Sequence, residues 1–159
     1  MPDVVKIVDI DAFVQESESL ISSCRQTLWA YAHSLEPRVF ANADVIKTIT
    51  KVVTKNRRAD VRLLVRDIHP VIKYDHPLVE LSQKLSSFIE IRVLPDSFQE
   101  KDELILLVDA LSWLRLEPAS NYQGRLSQND PTTCKELKIR YSRMWEESSR
   151  PTDVLRLHL

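Results

Sequence analysis

The sequence predicts an α/β protein, a layered mixed sheet with helices on both faces, and three observations carry that prediction. The apolar runs that start at Leu28, Val61 and Leu104 are nearly unbroken, a pattern that belongs to strands buried on both faces. The stretches between them place apolar residues at helical spacing, so strand and helix alternate along the chain. Directly after the third run, Asp109-Ala110 leads into another apolar run, which implies an antiparallel hairpin beside the parallel strands.

The elements follow in order. Val4–Val8 is a short strand or arm within residues 1–10. Asp11 is placed to cap a helix running to about Arg25, with Phe13, Leu20, Ile21 and Cys24 along one stripe. Leu28–Ala32 reads as a central strand. A second helix spans Asp44–Asn56, its Val45, Ile46, Ile49, Val52 and Val53 sharing a face. Val61–Arg66 is the next strand, ended by Pro70, and Pro77 opens a third helix lined by Leu78, Leu81 and Leu85. Phe88–Leu94 alternates, with Ile89, Ile91 and Val93 inward and Glu90 and Arg92 outward. Pro118–Pro131 reads as a loop. Thr133 and Glu136 form a T-x-x-E capping box for a last helix that packs through Leu137, Tyr141, Met144, Trp145 and Ser148. Residues 151–159 are a leucine-rich tail. Residues 1–159 are expected to form one domain.

Composition excludes several function classes. The chain holds one glycine, Gly124, against an average usage of about 7%. No dinucleotide-binding G-x-G-x-x-G, Walker loop or G-x-S-x-G elbow can be written without more. A formal net charge of -1 and a pI near 6.4 argue against general nucleic-acid binding. Cys24 and Cys134 belong to no C-x-x-C and suit buried thiols in a reducing compartment. The amino terminus resembles neither a signal peptide nor a membrane span, so a cytoplasmic protein without a membrane partner is expected.

Three groups of residues invite a functional reading. Asp67, His69, Asp75 and His76 lie close together, but their spacing fits no zinc pattern and both histidines precede prolines; no metal and no cofactor are expected. Asp67 ends a central strand, where open α/β sheets place ligand crevices, although a cap or turn role explains it as well. Lys47, Lys51 and Lys55 with Arg57 and Arg58 make a basic stripe, read first as a solvated helix face. Arg62, Arg66, Arg92 and Arg115 alternate with apolar residues on strands; if they converge, their guanidinium forks could hold a phosphate or carboxylate. Ser112, Ser120 and Ser127 have no adjacent triad partners. Trp29, Trp113 and Trp145 read as core.

The stretch DELILLVDALSWLRL, Asp102–Leu116, frames an apolar strand between two aspartates seven positions apart. It resembles the core of the phospholipase D-like superfamily, whose H-x-K-x-x-x-x-D signature lies on such a strand pair. Asp109 matches the signature aspartate. Asp102 stands where the histidine would be, and Leu104 where the lysine would be. VRLLVRD and IEIRVLP extend the resemblance. RYSRMWEES and VLRLHL resemble the ends of a bacterial group of relatives that lack the signature. The resemblance implies one half of the superfamily's fold, and pairing with a second half as a homodimer or with a protein partner. It also implies lost phosphodiester chemistry: a carboxylate repels the substrate that an imidazole would attack, and leucine cannot screen phosphoryl charge. A non-catalytic binding or assembly module of unknown ligand is therefore expected. Two rivals remain: an enzyme of another type that holds a phosphoryl or acyl substrate on the arginines, and a regulatory partner of a neighbouring enzyme.

Overall fold

The computed structural model describes residues 3–73, 76–98, 103–117 and 121–152. Asp75, Asp102, Ser120 and the tail from residue 153 lie outside them. Among the described residues seven strands form one mixed sheet: β1 (Val5–Ile7), β2 (Thr27–Ala32), β3 (Asp60–Val65), β4 (Ile89–Val93), β5 (Leu104–Val108), β6 (Ser112–Leu116) and β7 (Gly124–Ser127). Their order across the sheet is β1-β7-β6-β5-β2-β3-β4. Strands β2, β3 and β4 are parallel, and every other pairing is antiparallel. The runs at Leu28, Val61 and Leu104 are thus neighbours, with β2 between the other two.

Side-chain alternation divides the sheet's two faces. Leu28, Ala30, Val61, Leu63, Leu106 and Val108 pack into the larger core. Their partners there come from α1 (Ile10–Ser22), α2 (Pro37–Phe40), α3 (Ala43–Lys55) and α5 (Pro77–Lys84), while α4 (His69–Lys73) adds Val71. Trp29, Tyr31, Leu64, Ile105, Leu107 and Trp113 face the other way, onto Leu137, Tyr141, Met144 and Trp145 of α6 (Pro131–Glu147). All three tryptophans are buried. The Tyr141 hydroxyl donates to the Ala30 carbonyl at 3.1 Å, which fixes the middle of α6 over β2.

Several details differ from the sequence reading. The α1 cap is Asp9, in an extended conformation, whose carboxylate accepts from the Ala12 amide; Asp11 lies in the first turn and pairs with Arg38. The capping box at Thr133 does not form. Asp130 caps α6 instead, accepting from the Thr133 amide at 3.1 Å, with Pro131 preset for the first helical turn. The short helices α2 and α4 have too few residues to show a period.

The Pro118–Pro131 segment is not simply a loop, because it contains β7. That strand joins β6 to β1, and Gly124 stands opposite both Leu116 and Ile7. A Cβ on Gly124 would lie 1.9 Å from the Arg115 carbonyl oxygen, so only glycine allows this approach of two backbones.

Candidate ligand-binding crevice

The carboxyl ends of β2, β3 and β4 open on the same edge as the start of β5 and the end of β6, as their registers require. Open α/β sheets place ligands at such an edge, where neighbouring connections leave in different directions. Two concavities lie there, and His33, the residue after β2, lines both. The first has a volume of about 530 Å³. Its walls include Leu35, Val71, Leu104 and Leu116, and its polar side chains include His33, Ser34, Glu36, His76, Glu117 and Tyr122. Among the described residues that line it there is no lysine or arginine.

Glu36, Tyr122 and His76 are held by local structure. Glu36 caps α2, accepting from the Arg38 amide at 3.3 Å and from the Tyr122 hydroxyl at 3.1 Å. The Arg38 side chain is drawn away by Asp11 at 2.9 Å. Burial, and then the Glu36 charge, push the Tyr122 phenol above its usual range. Tyr122 has φ 57°, in the left-handed region, and its ring packs on Phe13. Strained non-glycine backbone of this kind persists only where surrounding contacts enforce it.

His76 caps α5. Its ring Nδ1 accepts from the Leu78 amide at 3.2 Å, so the proton of the neutral ring sits on Nε2. The residue is 6% exposed, and Nε2 is buried with no hydrogen-bond partner among the described residues. Burial pushes the His76 pKa below its ordinary 6.5, which keeps the imidazole neutral at pH 7.

The second concavity, about 540 Å³, lies past β3 and contains Arg66, Asp67 and His69. Asp67 accepts from the His69 amide at 3.1 Å and meets His69 Nδ1 at 3.0 Å. Desolvation pushes the Asp67 pKa upward, but the His69 hydrogen bonds and the charges of His69 and His33 outweigh it and hold the carboxyl below the usual range. Among the described residues, no three His, Cys, Asp or Glu side chains are grouped to hold a metal ion.

The residues singled out in the sequence do not share one place. Asp109 sits at the opposite end of β5 from the crevice. Its carboxylate accepts from the Arg25, Gln26 and Thr27 amides at 2.8, 2.8 and 2.9 Å, tying the β5–β6 turn to the start of β2. Leu104 lines the crevice, and Asp102 lies outside the described residues. Arg62 pairs with Asp60 and lies over Trp29 and Trp145; Arg92 pairs with Glu90 and also lies over Trp145. Arg115 pairs with Glu103, which also meets Arg140 of α6. Arg66 Nε donates to the Tyr31 hydroxyl at 2.8 Å. Arg62 and Arg92 therefore meet at Trp145, while Arg66 and Arg115 are held elsewhere.

Both cysteines are free and buried. Burial, aided by Asp109, pushes the Cys24 thiol up to about 12, and burial with Asp130 pushes Cys134 up to about 11. Both are poor nucleophiles at neutral pH. Sequence reasoning missed Glu36, Glu117 and Tyr122. Glu36 could have been suspected as a cap before Pro37; the other two carried no signal in their spacing.

Residues 9–157 match the family model described as Domain of unknown function (DUF7931). The chain belongs to that family. No curated protein sequence matches the chain. Among solved structures it is similar to TrmBL2, described as an archaeal chromatin protein with a novel mode of DNA binding. The TM-score is 0.66 at 14% identity, over 92% of this chain and 53% of that one. The chain thus spans about half of TrmBL2. It is also similar to Nuc from Salmonella typhimurium, described as a phospholipase D family member, with TM-score 0.62 and 15% identity over 94% and 98% of the two chains. NucT from Helicobacter pylori aligns with TM-score 0.59 and 15% identity over 94% and 99%. At these identities the likeness establishes the fold, an α/β seven-stranded mixed sheet of the phospholipase D-family kind. Among the described residues, no helix is long and apolar enough to cross a membrane.

Proposed function

We propose that this chain is a non-catalytic, phospholipase D-like binding module whose ligand enters the crevice beside Leu104. One observation supports the reading most: among the described residues, the crevice lining offers carboxylates where a phosphodiester needs cations. Glu36 and Glu117 contribute carboxylates there, and the described lining supplies no lysine or arginine. Stabilising phosphoryl oxygens needs preorganised positive charge or donors, and carboxylates oppose it. The strand arginines offer little compensation, since Arg62, Arg92 and Arg115 each already pair with an acid.

The test is turnover of bis-p-nitrophenyl phosphate, DNA and phosphatidylcholine by the purified chain. Rates equal to a no-protein control are expected. Hydrolysis that disappears when His33, His69 or His76 is replaced would contradict the reading.

Assembly is the second reading, favoured by the sheet face beyond α6. There Arg62 and Arg92 are 29% and 24% exposed beside Trp145 and the last parallel strand, β4. A second copy or a protein partner would cover that surface, and sedimentation at micromolar concentration distinguishes a dimer from a monomer. Nucleic acid also stays open as a partner class, because one structural neighbour is described as binding DNA.

A further inference from the structure

We propose that the edge of the sheet opposite the crevice docks a duplex nucleic acid by its phosphate backbone, held by Lys51 and Lys55 of α3 with Arg25, Arg57 and Arg58. This surface lies at the amino ends of β2 and β3 and is independent of what the crevice holds, so it goes beyond the binding-module reading.

The first observation is convergence. Lys47, Lys51 and Lys55 share one exposed side of α3, about 6 Å apart along the helix axis. A solvated helix face accounts for such a row by itself. It does not account for Arg25, from the α1–β2 connection, or for Arg57 and Arg58, from the α3–β3 connection, at the same end. The fold fastens these connections together. The Asn56 side-chain amide donates to the Arg25 carbonyl at 3.3 Å, and the Asp60 amide donates to the Gln26 carbonyl at 3.0 Å. Between the end of α1 and α3 lies a concavity of about 500 Å³, lined in part by Arg25, Lys51 and Lys55.

The second observation is that this positive charge is not neutralised locally. All six side chains are exposed, and among the described residues none of them enters an ion pair. The concavity's lining holds no carboxylate, and every residue of that lining is described. The acids at this end of the strands are already engaged. Asp60 pairs with Arg62. Asp109 accepts from the amides of residues 25–27, and Asp130 from the Thr133 amide and Trp113 Nε1. Even with both counted, the cations prevail. On α3 the one acid is Asp44, at the far end of the helix beside Lys47. The formal net charge of -1 is a sum over the whole chain and does not describe this edge. A local concentration of one sign draws a polyion of the other.

The partner follows from spacing and composition. Evenly spaced cations along a straight helix match a polymer with evenly spaced negative charges, as a nucleic-acid backbone has. Residues 22–25 and 47–58 hold no aromatic side chain on which unpaired bases could stack, which favours a duplex over a single strand. A bilayer surface takes several apolar side chains beside the basic ones. Among the described residues next to these cations, only Leu111 exposes a large one. Lysines and arginines on phosphates position a duplex without reading its sequence.

The experiment follows the anisotropy of labelled duplexes of about 20 base pairs, one of DNA and one of RNA, titrated with the intact chain. Polyglutamate and vesicles containing about one-third phosphatidylserine serve as competitors. At least one duplex is expected to bind with a Kd below about 100 μM at about 50 mM salt, and the tighter of the two identifies the source of the backbone. Raising the salt to about 200 mM should weaken it on the order of a hundredfold, as for about four phosphate contacts. Lys51→Gln, Lys55→Gln and Arg57→Gln combined should weaken binding at least tenfold and flatten the salt dependence. Lys51→Arg with Lys55→Arg should keep the affinity, as should Lys6→Gln with Arg125→Gln, which removes exposed cations from β1 and β7. Circular dichroism confirms that each variant is folded. No binding of either duplex, equal competition by polyglutamate or vesicles at matched charge, or an equal loss in the β1–β7 variant would overturn the proposal.

Discussion

At one end of β5, Asp109 gathers three backbone amides of the segment entering β2; at the other, Leu104 lines a crevice edged by carboxylates. The two ends match two positions of one sequence signature, yet they do unlike work. The aspartate end closes a hairpin and holds it to the neighbouring strand, a task that any protein with this sheet must accomplish. The leucine end faces the crevice.

The first way to test the contrast lies beside Leu104. Glu103 points to the opposite face, where its 3% exposed carboxylate meets Arg115 and Arg140. Glu103→Ala removes the partner these two arginines share and should cost about 2 kcal/mol in urea unfolding, the scale of hydrogen bonds to a charged acceptor when the arginines left behind can turn to solvent. A loss below about 1 kcal/mol would mean that the crevice end of β5 contributes little to stability on either face.

A smaller effect concerns the crevice alone. Burial depresses the folded-state pKa of His76, so the unfolded chain binds the proton more readily. Its contribution to stability is fully present above the unfolded value near 6.5 and declines as pH falls toward the folded pKa. His76→Asn should flatten that part of the stability profile below about pH 6.5 while preserving the cap. An unchanged slope would show that the ring is not neutral and buried as described.

The smallest effect comes from Ala110, the residue after the anchoring aspartate. Asp109 and Ala110 have φ of 54° and 57°, and the Leu111 amide bonds to the Val108 carbonyl, as in a primed hairpin turn. Glycine is the usual occupant of such positions. Ala110→Gly should therefore stabilise the chain by about 0.5–1 kcal/mol, relieving more strain than it adds in chain entropy. A destabilised variant would place the strain elsewhere.

Much of the fold was legible because burial on both faces writes itself into composition: Leu28–Ala32, Val61–Val65 and Leu104–Val108 had few other homes. β7 was not legible. It is four residues long, and its glycine, which ordinarily marks a turn, is there for the close passage of β6. The caps lie two or three residues earlier than read because Asp9 and Asp130 take the Ala12 and Thr133 amides, so each helix has already begun at Asp11 and Thr133. For the crevice, the sequence offered Leu104 and the carboxyl end of β3. It could not offer Glu36, His76 and Tyr122 as a group, because three separate connections bring them to one edge of the sheet. The strand arginines were visible but their partners were not, since Trp145 comes to Arg62 and Arg92 from a helix far along the chain.

The most direct test of the contrast is hydrogen exchange on Asp109→Ala, read amide by amide and paired with urea unfolding. The amides of Arg25, Gln26 and Thr27 should lose protection, and the chain should lose about 2 kcal/mol, the scale of hydrogen bonds to a charged acceptor. The amides of Leu63 and Leu64, in the middle of β3, should keep their order of protection, and the crevice residues 33–36 should not change. Unaltered protection at residues 25–27 with unaltered stability would contradict the claim that this aspartate is kept as an anchor of the fold.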